Sequence, residues 1–268
     1  MIFVKQTFDY LKKNIIYLMV FAIIPSVMYT LNNTSLNVYI YFSKLRIGQK
    51  FNLIQTYKYF STINYNSILL TLLSLASTII FVSLILAFIE KHMRIGKRSF
   101  KGVLNKLNDN IVPVFLLLLL FLCIFELWSV IISALMVMSA IIFSGKVLYF
   151  FCILIGIIFF ILLFMVLGLF VIWLPCILIT GFNYSEALIY SVSLMSEHKK
   201  DIIISLVVPY LLCNVIVAIV HFFIGYSAGI AVLIIAFILY FTYYTSLMYV
   251  IYFYLTNEKR EDLKKKYF

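Results

Sequence analysis

Residues 111–143 read IVPVFLLLLLFLCIFELWSVIISALMVMSAIIF. After Ser144, Gly145 and Lys146 the chain resumes over 147–179 with VLYFFCILIGIIFFILLFMVLGLFVIWLPCILI. A membrane-spanning helix needs ~20 apolar residues. Each run exceeds that length, and Glu126 is the only acid or base in either. At ~1.5 Å per residue each would reach ~50 Å, against a hydrocarbon core of ~30 Å. Such helices tilt, kink or project as a hairpin. Pro113 and Pro175 lie at the ends away from the hairpin turn, where they can shorten the regular helix. Neither run has a polar break in its middle, so each counts as one span.

Working outward, four further apolar runs cover 15–31, 68–89, 202–224 and 230–255. With 111–143 and 147–179 they make six. The composition agrees: 65% of residues are hydrophobic and 12% charged, with a mean hydropathy of +1.12. A soluble domain sits nearer half apolar and a quarter charged, and a bilayer is the solvent that accepts the excess. The spans follow one another too closely to leave a separate soluble domain. The sequence therefore predicts an all-α polytopic membrane protein, one transmembrane domain over 1–268, with about six helices and short interfacial amphipathic helices. Lys5, Lys12 and Lys13 ahead of the first run resemble the start of a signal peptide. No small-x-small cleavage site follows, so the first run is read as a retained helix.

Orientation follows Lys and Arg. Assigned alternately, the segments outside the runs place 16 on the side of the termini and 5 on the other. The richer side is expected to be the cytoplasm, so both termini are cytoplasmic. Residues 32–66 go against this trend, holding Lys44, Arg46, Lys50 and Lys58 without an acid. The expected place for them is the membrane surface outside. The formal net charge of +11 is spent at membrane flanks, where anionic lipid headgroups attract it. It implies a lipid partner and no nucleic acid. Cys123, Cys152, Cys176 and Cys213 each sit in an apolar run without CxxC spacing, and read as small packing residues.

Three amphipathic stretches precede outward-running spans: Gln6–Leu11, Ser99–Leu107 and Tyr184–Met195. In the second, Phe100, Val103, Leu104 and Leu107 recur at i, i+3, i+4 and i+7, one face of a helix. In the third, Asn183 and Glu186 have capping-box spacing. All three are expected to lie as helices among the headgroups.

The stretch from Trp173 to Pro209 is the most distinctive. An apolar helix ends near Pro175, and Tyr184-Ser-Glu-Ala-Leu188 leads through Ser191 to Lys199-Lys200-Asp201 and another apolar run. With Gly96-Lys-Arg-Ser-Phe100 ahead of the third span, this resembles a bacterial six-helix integral membrane family. That family is related to the membrane domain attached to some glycerophosphodiester phosphodiesterases, and it includes many stand-alone members. The resemblance implies a fold and a bacterial plasma membrane. It carries no phosphodiesterase activity, because the soluble catalytic domain is missing from this sequence.

An ionisable residue inside a membrane helix is a functional candidate by default. Glu126 and His221 qualify, and both fall on outward-running spans. A Glu–His pair in low dielectric relays protons or holds a cation; the structural alternative is a hydrogen bond that merely satisfies each. Tyr240, Tyr243 and Tyr244 share a face of the last span, and cross-helix packing is their expected role. No HExxH, GxSxG, P-loop or GxGxxG pattern occurs, so no catalytic residue, cofactor or metal is assigned. The sequence leaves two functions in play. One is a non-enzymatic protein that organises or assists the envelope. The other is a membrane subunit of a transporter, an ABC-type exporter or bacteriocin-immunity permease, which would need a partner ATPase subunit.

Overall fold

Helices are the only way a single apolar run can satisfy its backbone in lipid, and helices are what the chain forms. The structure is a computed structural model and describes residues 2–32 and 34–263. In chain order the helices are α1 (Ile2–Asn32), α2 (Thr34–Arg46), α3 (Leu53–Phe60), α4 (Ile68–Ile95), α5 (Leu107–Ile142), α6 (Gly145–Gly168), α7 (Trp173–Thr180), α8 (Tyr184–Met195), α9 (Lys199–Phe223) and α10 (Tyr226–Leu255). Six of these stretches are long and apolar enough to cross a membrane: α1 with α2, α4, α5, α6 with α7, α9 and α10. No strand occurs among the described residues. The protein is an all-α polytopic membrane protein.

Its centre is α1, which packs along both α4 and α10. Leu18 and Ala22 of α1 are fully buried against Ile85 and Ile89 of α4 and Leu247 and Val250 of α10. The small polar residues here bond back onto their own helices, as Ser26 Oγ does to the Ala22 carbonyl (2.6 Å) and Thr30 Oγ1 to the Ser26 carbonyl (2.8 Å). Buried hydroxyls in a membrane helix are commonly satisfied in this way. The tyrosines of α10 reach across to α9. Tyr243 donates to the Ser205 carbonyl (2.9 Å) and Tyr244 to the Leu206 carbonyl (2.8 Å), which is packing with its hydroxyls satisfied.

One end of the bundle collects charge. Phe3 packs its ring against His198 and Tyr254, and Tyr10 meets His92 and Arg260. The segments around residues 3–13, 90–106, 198 and 254–262 therefore converge there. The opposite end holds the α5–α6 turn and the α2–α3 segment.

The three amphipathic stretches take three different forms. Tyr184–Met195 is a helix of its own, α8, with the capping box closed: Glu186 accepts from the Asn183 N–H at 3.2 Å. Gln6–Leu11 is not a separate surface helix but the start of α1, with Thr7, Tyr10 and Leu11 buried. Ser99–Leu107 does not form a helix of its own, and only Leu107 is helical, as the first residue of α5. Residues 101–106 are turns, and Gly102 at φ +82° lies in the left-handed region that a right-handed helix excludes. Val103 is consequently buried while Leu104 faces outward.

The fourth long run bends at residues 169–172, between α6 and α7. Pro175 lacks the N–H that would bond the Val171 carbonyl, and its ring crowds that oxygen. Pro175 instead occupies the first turn of α7, where the missing N–H costs little.

Candidate functional site

Residues 34–66 lie as a cap over the end of the bundle that holds the α5–α6 turn. The α2 helix crosses the bundle there. Leu36 is buried with Val217 of α9 and Leu233 and Ala236 of α10. Further along α2, Tyr41 and Leu45 pack with Ile132 and Met136 of α5 and Leu148 and Cys152 of α6. The α3 helix follows on α5, started by Asn52, whose side chain accepts from the Gln55 N–H (2.8 Å) while Gln55 accepts from the Asn52 N–H (3.1 Å). Asn32 closes the base of the cap. Its carbonyl accepts from Asn64 (2.8 Å) and its side chain meets the Thr62 carbonyl (3.2 Å) and Thr71 Oγ1 (3.1 Å).

Glu126 is where this cap is fastened. Tyr57 and Ser61 donate their hydroxyls to Oε2 at 2.7 and 2.8 Å. Thr62 donates both its N–H (2.9 Å) and its hydroxyl (2.5 Å) to Oε1. A carboxylate offers about four lone-pair directions, so these four donors complete its hydrogen bonding. Ser129, one turn on, reaches the Phe60 carbonyl at 2.9 Å. Burial raises the pKa of the Tyr57 phenol, as do its hydrogen bond with Tyr65 and the neighbouring Glu126. Tyr57 thus stays a donor over the physiological range.

A second fastening lies at α9. Asn214 accepts from the Tyr39 hydroxyl at 2.7 Å and donates to the Tyr210 carbonyl (2.9 Å) and to Tyr240 Oη (3.0 Å). One amide thereby ties α2 to α9 and α10. His221 sits two turns further along α9, its ring against Tyr39. It also packs so closely on Gly229 that a Cβ there would lie 3.1 Å from Nδ1. Glu126 and His221, paired in the sequence reading, are thus drawn into separate surroundings: Glu126 to the α3 end of the cap, His221 to the α9–α10 turn.

Sequence reasoning singled out Glu126 but not Tyr57, Ser61 or Thr62. The available signal was topological. A carboxylate in the middle of a span must find donors, and the polar segment between the first two spans is the stretch of chain rich enough in hydroxyls to supply them. Glu90 also went unremarked. Its side chain is 2% exposed and pairs with Arg94 at 3.0 Å and with Lys106. The i, i+4 spacing of Glu90 and Arg94 was the readable sign. Among the described residues no three His, Cys, Asp or Glu side chains are placed to share a metal ion. Compared with known protein families, with curated proteins and with solved structures, the chain has no match.

Proposed function

We propose that this is a non-enzymatic protein of the bacterial plasma membrane, of the six-helix kind its sequence resembles. Both termini face the cytoplasm, and the protein organises or assists the surrounding membrane by holding anionic lipid at its cytoplasmic face. The observation that carries this reading is the convergence of charge and interfacial structure at one end of the bundle. The ion-paired Glu90, the basic segment 91–106 and the α10 tail are gathered there, beside α8. That helix buries Ala187, Ser191 and Met195 on one face, and its other face exposes Tyr184, Ile189 and Val192. An exposed apolar face beside clustered lysines suits the headgroup boundary. Inside the membrane, Glu126 and Asn214 spend their hydrogen bonds fastening the cap, which favours a structural role for them over a proton path.

A second reading rests on that same exposed helix. A cytoplasmic helix between two spans is also a docking point for an ATPase subunit, making the chain a membrane subunit of a transporter. One experiment separates the two: extraction from native membrane in polymer-bounded nanodiscs, with mass spectrometry of the lipids and proteins retained. The expected result is enrichment of phosphatidylglycerol or cardiolipin over the bulk membrane. A stoichiometric ATPase in the discs would overturn the first reading in favour of the second.

A further inference from the structure

At the charged end, α1, the last turns of α4 and the tail after α10 enclose a cavity of about 290 Å³. Ligand pockets run from ~300 to ~1,000 Å³, so this one suits a headgroup rather than a whole lipid. Asn14 lines it and is 1% exposed. Its Nδ2 donates to the Tyr10 carbonyl at 2.9 Å, while its Oδ1 has no hydrogen-bond partner among the described residues. A buried acceptor left unmatched is costly, and a donor from a ligand would satisfy this one. Asn14 immediately precedes the apolar run that begins at Ile15, so the cavity lies at headgroup depth.

The rest of the lining carries both signs of charge. Lys13 and Arg98 are exposed cations on the cavity wall. Arg98 engages His92 Nε2 through its Nε, at 3.4 Å, which leaves the guanidinium fork available for an oxyanion. Asp9 and Glu258 supply carboxylates. Arg260 and Asp262 pair with each other at 2.8 Å and contribute no net charge. A pure phosphate would meet the two carboxylates unfavourably, and a simple cation would meet Lys13 and Arg98. The combination fits a ligand bearing both signs a few bonds apart.

We propose that this cavity binds a phosphodiester carrying a protonated amine, the chemistry of a phosphatidylethanolamine headgroup. The phosphate lies against Arg98 and Lys13. The ammonium lies toward Glu258, Asp9 and Asn14 Oδ1. The proposal deepens the lipid-holding reading above and rests on it. A choline headgroup has no N–H to donate to Asn14 or the carboxylates, so the cavity discriminates between the two headgroups.

The test uses full-length protein in phosphatidylglycerol nanodiscs doped with equal small amounts of phosphatidylethanolamine and phosphatidylcholine. Retained lipids are counted by native mass spectrometry after mild delipidation. Wild-type protein should retain phosphatidylethanolamine over phosphatidylcholine by about tenfold, the worth of one or two charge-assisted hydrogen bonds. Glu258→Gln should abolish the preference and Arg98→Gln should lower retention of both lipids, each at an exposed side chain and each leaving the melting temperature in pure phosphatidylglycerol unchanged. Soluble glycerophosphoethanolamine is added in a parallel arm. If it displaces the lipid and binds without it, the site takes the same chemistry from a water-soluble ester. Equal retention of the two lipids, or retention unaffected by both variants, overturns the site. Anionic-lipid enrichment in the native-membrane nanodiscs described above tells the two failures apart: if it is found, only the cavity assignment falls, and if it is absent, the lipid-holding reading falls as well.

Discussion

Replacing Glu126 by alanine should release the α3 end of the cap. The substitution strands four donors: the hydroxyls of Tyr57, Ser61 and Thr62 and the Thr62 N–H. A hydrogen bond to a charged acceptor is worth ~1.5–3 kcal/mol, but these four do not add. Glu126 is only partly buried, and water can take over the rotatable hydroxyls. The backbone N–H cannot turn, and it lies in the segment that must stay folded. Roughly 2–4 kcal/mol of local stability is therefore lost, which multiplies the open population by about 30- to 1,000-fold. Trypsin reports this directly. Lys58 lies inside α3 and is cut only when the helix opens, so its cleavage rate tracks the open fraction. Lys50, in the loop before α3, serves as the internal control. Glu126→Gln keeps one carbonyl acceptor for Thr62 but presents donors toward Tyr57 and Ser61, or the reverse. It should fall between, with about 5- to 30-fold faster cleavage for a loss of ~1–2 kcal/mol. If cleavage after Lys58 in Glu126→Ala stays within about twofold of wild type, the carboxylate does not fasten the cap.

Asn214→Ala removes the side-chain partner of Tyr39 and Tyr240, and thermal unfolding in detergent should register ~1–3 kcal/mol of lost stability; Tyr39→Phe should cost less in that background than in wild type, since only the 3.3 Å bond to the residue 214 carbonyl is left to lose. Gly229→Ala drives a methyl to 3.1 Å from His221 Nδ1, which should cost ~1–3 kcal/mol by overpacking, and the double variant with His221→Ala should recover most of it. At the charged end, Glu90→Ala strands only two cations that are 47% and 42% exposed, so chemical denaturation should show a loss near ~1 kcal/mol. Removing both Arg94 and Lys106 instead leaves a buried carboxylate alone, and should cost ~3–5 kcal/mol. The raised Tyr57 pKa makes the unfolded chain release its proton first. The cap's stability is therefore fully present below about pH 10 and lost as pH rises beyond it; melting temperatures across that range should fall less steeply for Tyr57→Phe than for wild type.

The spans were readable because lipid imposes one demand on every residue in them: twenty or so consecutive apolar side chains leave no alternative to a helix. Glu126 was readable for the converse reason, as a polar group in a solvent that will not satisfy it. Its partners were not, because Tyr57, Ser61 and Thr62 are ordinary polar loop residues until the cap folds and brings them to α5. The misreading of Ser99–Leu107 has a local cause. The apolar spacing of Phe100, Val103, Leu104 and Leu107 is helical, yet a single backbone torsion at Gly102 overrides it. The bend before Trp173 carries no polar residue to mark it, and what creates it is a covalent property of Pro175 acting four residues upstream.

The unequal helices have a consequence for the bilayer itself. The α4 helix has 28 residues and α5 has 36, about 42 and 54 Å at ~1.5 Å per residue. Beyond Glu126 the α5–α6 hairpin still presents lipid-facing side chains, among them Val130, Met138, Ile141, Phe150 and Leu154. Hydrophobic mismatch is relieved by tilting the long pair or by stretching the acyl chains beside it. Either response makes the lipid annulus inequivalent around the perimeter, deeper along the hairpin than along α4.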